Sequence, residues 1–200
     1  MTTQTTHRLR ITPRATALRI SADPTLERAH RMTWEGAGPT VREDDGEIEI
    51  AYTIGARLRA MSPRGGTLTV ALNPAVPWTI ELEGGVSGLR ADLRDLEILG
   101  IAVSGGASDV EFGLPAPRGE LALSVAGGLS NGILRRPAGV PVGVEIEGGT
   151  VDLRLDDDRL GAVGGLVRQR TRGEADGSGE IAVRVEGGAS GLSVTALNPE

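Results

Sequence analysis

The sequence predicts an all-β fold, a single-domain parallel β-helix (β-solenoid), and three observations support this prediction. First, 30 of the 200 residues are glycine and 11 are proline, and they interrupt the chain at the spacing of short strands. Second, two tryptophans, one tyrosine and one phenylalanine are the only aromatic residues, so Val, Ile, Leu and Ala must fill the core. Third, a Gly-Gly pair flanked by alternating apolar residues recurs with a near-constant period.

Six copies of this Gly-Gly repeat define rungs of roughly 19 to 22 residues. The intervals between the first glycines of successive pairs are 19, 21, 22, 21 and 39 residues, and the last interval is nearly two periods. Self-similarity at a fixed period is typical of repeat architectures. The pairs begin at Gly65, Gly84, Gly105, Gly127, Gly148 and Gly187.

Apolar columns flank each pair and change phase across it. The columns four and two residues before the first glycine contain Ile80, Ile101, Leu123, Val144, Val183 and Leu82, Val103, Val125, Ile146, Val185. The columns five and seven residues after it contain Leu89, Val110, Leu153, Leu192 and Phe112, Leu134, Leu155, Val194. Because a change of parity would turn the apolar set of a straight strand to solvent, we expect the Gly-Gly to bend, bulge or reverse the chain.

Two architectures satisfy this requirement. In a β-helix each Gly-Gly is a stacked corner and the apolar columns become ladders about 4.8 Å apart. Leu82, Val103, Val125 and Ile146 would then form one internal ladder. In an antiparallel sandwich or meander each Gly-Gly would be a hairpin turn. The constant period favours the β-helix, as does the serine that follows four of the corners at Ser87, Ser108, Ser130 and Ser190.

The remaining segments divide the single predicted domain into four parts. Residues 1–58 read as N-terminal strands or a cap, residues 59–155 as regular rungs, residues 156–180 as a protruding polar loop, and residues 181–200 as the last rung. The chain finishes on the strand-like "LSVTAL" without a capping helix. We therefore expect an unpaired terminal edge, which a second copy of the chain covers by self-association or which Pro199 and Glu200 blunt.

Composition excludes several classes of function. The chain has no cysteine, which excludes disulfides, thiolate catalysis and cysteine-bound zinc. The net charge of −6 and the interleaving of arginines with acidic residues argue against a nucleic-acid partner. The opening "MTTQTTHRLRITPRAT" is polar where an export signal would be apolar, and no long apolar run follows. We therefore expect a cytoplasmic protein without membrane insertion.

No catalytic, cofactor-binding or metal-binding residue is predicted. His7 and His30 match no nucleophile motif and read as ordinary surface histidines. The run Asp156 to Asp158 has the ligand type that calcium prefers, but the other corners do not repeat it, so calcium binding stays open. "GAVGGLV" from Gly161 lacks the lysine of a phosphate loop. Charged pairs within the strands, Glu145 with Glu147 and Arg135 with Arg136, read as solvated outward positions.

The stretches "SGGASDVEFGLP", "VAGGLSNGILRRPAGVPVGVEIEGG" and "RVEGGASGLSV" resemble bacterial adhesin-like families of unknown function, including the toast-rack domain of LiaF-type envelope-stress proteins. The resemblance extends over about residues 60 to 197 and implies a β-helical fold without implying a reaction.

The predicted function is that of a non-catalytic, adhesin-like structural or interaction protein, which self-assembles or presents a rigid binding surface. Two alternatives stay open. The first is a carbohydrate-active β-helix enzyme, whose site would need clustered carboxylates or arginines in a groove beside the coil. The second is a regulatory module that binds a partner in an envelope-stress system.

Overall fold

The computed structural model describes residues 6–12, 17–36, 38–52, 66–171 and 179–197, and every regular element within these ranges is a β-strand. The strands form two large mixed sheets, neither of which closes into a barrel over the described strands. The nine strands of sheet A are β1 (His7–Ile11), β4 (Thr40–Asp44), β5 (Glu47–Ala51), β7 (Trp78–Leu82), β10 (Ile98–Val103), β12 (Glu120–Val125), β14 (Val142–Ile146), β18 (Val167–Arg170) and β19 (Glu180–Val185).

Sheet B has eleven strands. They are β2 (Ala17–Ala22), β3 (His30–Trp34), β6 (Thr67–Leu72), β8 (Val86–Ser87), β9 (Leu89–Asp92), β11 (Ala107–Gly113), β13 (Leu129–Pro137), β15 (Thr150–Val151), β16 (Leu153–Leu155), β17 (Asp158–Leu160) and β20 (Ala189–Leu197). The all-β prediction is confirmed.

Alternation of apolar and polar residues along the strands produces one core. The inward residues of both sheets belong to a single buried cluster of Leu, Ile, Val and Ala with Trp78 and Phe112. The ladder predicted from the repeat is confirmed, since Leu82 pairs with Val103 and Val103 with Val125 on neighbouring parallel strands. Val185 stands between Val125 and Ile146 in the same ladder.

Five pairs of the repeat, which begin at Gly84, Gly105, Gly127, Gly148 and Gly187, carry the chain from a strand of sheet A to a strand of sheet B, and neighbouring pairs stack in close contact. A Cβ atom on Gly105 would lie 2.6 Å from the carbonyl carbon of Gly84, and one on Gly127 would lie 2.7 Å from the nitrogen of Gly106. Real Cβ atoms do not approach backbone so closely. At Gly105, Gly127, Gly148 and Gly187 the adjacent corner leaves no room for a side chain, whereas Gly84 has open space around it and a φ of 90° that favours glycine.

The change of phase occurs after the Gly-Gly pair, so its predicted position was wrong. The residue two positions after the first glycine, such as Val86 or Ala107, is still buried in the original phase. Two positions further on, a residue with φ between 52° and 70° leaves the β region in every described repeat. This column contains Gly88, Asp109, Asn131, Asp152 and Gly191. A residue in this conformation acts as a bulge, and glycine, asparagine and aspartate tolerate it best.

The first two and the last two described strands of the chain lie inside the sheets. Strands β1 and β2 are inserted between later strands, β5 and β7 in sheet A and β6 and β9 in sheet B. In the same way β19 and β20 separate β12 from β14 and β13 from β16. The prediction that the last strand is an unpaired edge was therefore wrong. The apolar columns are equivalent in all the repeats, so any repeat fits any position in the two sheets. The order of the repeats in the sequence therefore did not reveal the order of the strands in the sheets.

Short antiparallel strands form the edges instead. Strands β4 and β3 end the two sheets at one pole, and β18 and β17 end them at the other. Strands β17 and β18 lie in the segment predicted as a protruding loop, whose residues 172–178 are outside the described residues. Gly65, Pro199 and Glu200 are also outside them. No helix in the described part of the chain is long and apolar enough to cross a membrane.

Candidate ligand-binding face

The outer face of sheet B carries a groove of about 480 Å³ that is lined by arginines. We call it the arginine groove and define it by its six charged residues, Arg19, Arg90, Asp92, Arg94, Glu111 and Arg135. Five of them point outward because they alternate with core residues on β2, β9, β11 and β13, and Arg94 lies in the turn after β9. Parallel pairing places Arg19 beside Arg90, and Arg90 beside Glu111.

Glu111 holds two of these arginines. Its Oε2 atom lies 3.3 Å from Arg90 Nε, and its Oε1 atom lies 2.9 Å from Arg135 Nε. The two arginines are about half exposed, so these ion pairs contribute little to stability. Their effect is to position two guanidinium groups on either side of one carboxylate.

Asp92 and Arg94 form a second, bidentate pair in the groove. Arg94 donates from Nε and Nη2 to the two carboxylate oxygens of Asp92, each at 2.7 Å. These hydrogen bonds hold the pKa of Asp92 below its ordinary value, so its carboxylate stays ionised. The pair lies over Gly113, where a Cβ atom would meet Asp92 Oδ1 at 3.2 Å and Arg94 Cγ at 3.4 Å.

Arg19 is the unusual member of the groove. It is exposed, and within the described part of the chain it forms no ion pair or side-chain hydrogen bond. Its neighbours in register are Thr69 on one side and Arg90 on the other. Arg90 turns away from it, toward β11, where its Nη1 donates to the carbonyl of Asp109 at 2.8 Å. Like charges directly opposite each other destabilise a sheet, so folding gives no reason for this arrangement.

The groove is cationic in an acidic protein. Its four guanidinium groups face two carboxylates, whereas the whole chain has a net charge of −6. A flat sheet with an excess of positive charge can bind carboxylate or phosphate groups, which match the planar fork of arginine.

The two histidines are not ordinary surface residues, and that expectation was wrong. The His7 ring packs 5.2 Å from the ring of Trp78, and the His30 side chain is only 10% exposed. His30 Nε2 lies 3.3 Å from Glu43 Oε1. Burial is the main cause that lowers the pKa of His30, and the charge of nearby His7 lowers it further. The expectation failed because edge strands β3 and β4 fold over the end of the core.

The aspartate run does not come together as a metal site. Asp156 Oδ2 accepts a hydrogen bond from Arg136 Nη2 at 2.5 Å, and its Oδ1 accepts the backbone N–H of Ala196 at 3.2 Å. Asp158 begins β17. No group of three potential metal ligands occurs among the described residues.

The prediction that the charged pairs within the strands point outward was only partly correct. Arg136 is 3% exposed, so its predicted outward position was wrong. Arg135 points outward, and Glu145 faces Arg168 at 2.8 Å on the outer face of sheet A. In the "GAVGGLV" segment, Val163 forms a single antiparallel bridge with Thr150.

Comparison with known proteins identifies a relative in structure alone. No protein-family model matches the sequence, and no curated protein matches it. A solved structure of a "putative cell adhesion protein" from Clostridium sporogenes ATCC 15579 superposes with a TM-score of 0.73 at 15% sequence identity. The two chains share a fold. The match covers 97% of this chain and 94% of the other. It supports an adhesin-like fold, and not the LiaF-type toast-rack domain in particular.

Sequence reasoning missed the arginine groove. Arg19 and Arg90 are 71 residues apart in the sequence, whereas one repeat is about 20 residues long. They become neighbours only because β2 is inserted beside β9. The available signal was an exposed arginine in the column six residues after the first glycine, at Arg90 and Arg154, which alternates with buried positions.

Proposed function

We propose that the two sheets are the two sides of a parallel β-helix, and that this protein is a non-catalytic, adhesin-like binding protein. Parallel pairing between equivalent positions of successive repeats supports the β-helix. The serines after the corners are one example, since Ser87, Ser108, Ser130 and Ser190 pair in register across four strands. The antiparallel pairs among the described strands are confined to the two poles.

The binding role follows from the shape and rigidity of the faces. A ladder-bonded sheet over one continuous core presents fixed side chains, and little conformational entropy is lost when a ligand binds to it. The fold shared with the Clostridium sporogenes protein supports an adhesin-like role. The carboxylates of the arginine groove are bound to arginine, which suits recognition better than proton transfer.

The observation that carries the proposal is the arginine groove itself. Here Arg19, which has no ion pair within the described part of the chain, stands in register beside Arg90, an arrangement that like-charge repulsion disfavours. Residues kept at a cost to folding are most readily explained by function. We therefore assign the outer face of sheet B as the binding surface.

A steric test separates this face from the opposite one. Ser21 lines the arginine groove, and Ser124 lines a hollow on the outer face of sheet A. The two serines are equally half-buried outward residues, so Ser21→Trp and Ser124→Trp are matched. We expect wild-type protein and Ser124→Trp to bind to a glycan array and to purified cell envelopes, and Ser21→Trp to lose that binding while its circular dichroism is unchanged.

Three results would contradict the proposal. Equal binding by both variants would remove the assignment to sheet B. Absence of wild-type binding to every surface would remove the adhesin-like role. Release of reducing ends from a bound glycan would favour the alternative, a carbohydrate-active enzyme.

A further inference from the structure

We infer that the arginine groove binds an acidic oligosaccharide, a chain of sugars that carries carboxylate groups at intervals. This inference rests on the proposed function and names the ligand class of the same face. It is argued from the spacing of the cations, from the acceptors between them and from the volume of the groove.

The spacing of the guanidinium groups favours a ligand with several separated charges. Arg19 and Arg90 stand on adjacent strands, about 4.8 Å apart at the backbone. Arg135 lies two strands beyond Arg90, about 10 Å further across the sheet. Arg90 turns toward Glu111, which it shares with Arg135, so an oxyanion at Arg19 and an oxyanion at the Arg90–Arg135 pair occupy separate positions. A linear ligand that crosses the strands would satisfy both positions.

The carboxylates in the groove favour a sugar over a densely charged phosphate polymer. Asp92 and Glu111 lie among the arginines and would repel a phosphate chain more than an acidic sugar chain, because the charges of a phosphate chain follow one another more closely. Each carboxylate still has lone pairs that its arginine partners do not use, and these accept hydrogen bonds from hydroxyl groups. Ser21 and Thr69 add two hydroxyls to the lining. Recognition of hydroxyls and anions together is what an acidic sugar requires.

The groove has room for a sugar ring, since its volume is about 480 Å³. On β11 the Asp92–Arg94 pair fills the space that a side chain at Gly113 would take. On the next strand Ile133, which pairs with Glu111, is 37% exposed. An exposed aliphatic side chain beside charged residues offers the apolar contact that one face of a sugar ring accepts.

The test uses the full chain and defined probes. We expect isothermal titration calorimetry to detect binding of hexagalacturonate, weakening as ionic strength rises because salt screens exposed charges. The fully methyl-esterified hexamer keeps the sugars and loses the charges. We expect it to bind at least about tenfold more weakly than hexagalacturonate, because it cannot form charge-assisted hydrogen bonds with the arginines. Inorganic polyphosphate of similar length should bind more weakly than hexagalacturonate.

Arg19→Ala is the decisive variant because this side chain has no ion-pair or hydrogen-bond partner to disturb among the described residues. We expect about tenfold weaker binding of hexagalacturonate by Arg19→Ala and none detected for Arg19→Glu. Arg184→Ala on the outer face of sheet A is the matched control and should bind as the wild type does.

The outcomes separate this inference from the proposed function. Failure of wild-type protein to bind hexagalacturonate overturns the inference, as does equal binding of the esterified hexamer or wild-type affinity in Arg19→Ala. Tighter binding of polyphosphate overturns the choice of sugar. If Ser21→Trp nevertheless loses binding to an array or envelope in these cases, the binding face stands and only its ligand class is wrong.

Discussion

The outer faces of the two sheets are built from the same repeats but differ in how their charges are matched. On sheet A, Arg10 lies within 3.1 to 3.2 Å of Glu47, Glu81 and Glu83. At the other end of sheet A, Glu145 faces Arg168 and Arg184. On sheet B, Arg19 has no such partner in the described part of the chain and stands beside Arg90.

This difference teaches that the repeat specifies the core and leaves the outward positions free. Inward columns are restricted to apolar residues because they share one core. Outward columns contact solvent, so their residues can change without loss of the fold. Sheet A uses that freedom for matched ion pairs around a centre of small residues, among them Gly100, Ala122 and Ala182. Sheet B uses it for a cationic groove.

The largest expected effect is a loss of stability in the core that both sheets share. Val125→Asp places a carboxylate in the internal ladder of sheet A, where Val125 is 1% exposed. We expect it to lower the free energy of unfolding by about 3–5 kcal/mol, measured by urea denaturation, because it buries a charged group among apolar side chains.

The neighbouring outward position is the control for that substitution. Ser124→Asp lies in register with Arg184 and should change stability by less than about 0.5 kcal/mol. A wild-type denaturation midpoint for Val125→Asp would mean that the inward column is misassigned.

A smaller effect tests the corners that join the two faces. Gly105→Ala would place its Cβ 2.6 to 2.8 Å from the backbone of Gly84 and Gly85. Because backbone atoms cannot give way as a flexible side chain can, we expect a loss of about 1–3 kcal/mol in urea denaturation.

Gly106→Ala is matched, since its Cβ would lie 3.4 Å from the nearest atom, the carbonyl oxygen of Gly128. It should be neutral or stabilise the protein by up to about 1 kcal/mol through the lower entropy of the unfolded chain. Equal losses for both variants would contradict the close stacking of the first glycines.

These corners show how much of the fold the sequence could predict. The period placed the ladder of Leu82, Val103 and Val125 correctly, because a core column tolerates only apolar residues. The bulge column was missed, although the recurrence of Asp109, Asn131 or glycine at one position signals a left-handed residue. Attention to which residue types adopt positive φ would have located the phase change.

The candidate site was less predictable than the fold. Its residues come from repeats that lie far apart in sequence, and the insertion of β2 between β6 and β9 cannot be read from apolar columns that are the same in every repeat. Buried Arg136 illustrates a second limit, because its partner Asp156 belongs to the next copy of the Gly-Gly sequence repeat. Long-range pairing, and not local pattern, decides which charges meet.

The edge where the two sheets meet should make stability depend on pH. His30 on edge strand β3 of sheet B faces Glu43 on edge strand β4 of sheet A, with His7 nearby. Burial lowers the pKa of His30 below its ordinary value of 6.5, so the unfolded chain takes up a proton more readily than the folded one. The free energy of unfolding should have its full value above pH 6.5 and should decrease as the pH drops below that value.

Urea denaturation of wild type and His30→Gln between pH 5 and 8 measures this contribution, with the pH range set by the ordinary pKa values of histidine and the carboxylates, about 6.5 and 4. The variant should lose most of the dependence above pH 5, where carboxylates are still ionised. Stability that rose on acidification would show that the Glu43 contact outweighs burial.

The smallest expected effect is also the sharpest comparison of the two faces. Arg10→Ala removes the centre of three ion pairs on sheet A and leaves Glu47, Glu81 and Glu83 facing one another, so the thermal midpoint should fall. Arg19→Ala removes a cation that repels Arg90 and should leave stability unchanged or raise it by up to about 0.5 kcal/mol. Raising the salt concentration should narrow the difference between the variants, because it screens both the attraction on sheet A and the repulsion on sheet B. If Arg19→Ala instead destabilised the protein as much as Arg10→Ala, Arg19 would have a structural role, and the outer face of sheet B would lose its distinction from that of sheet A.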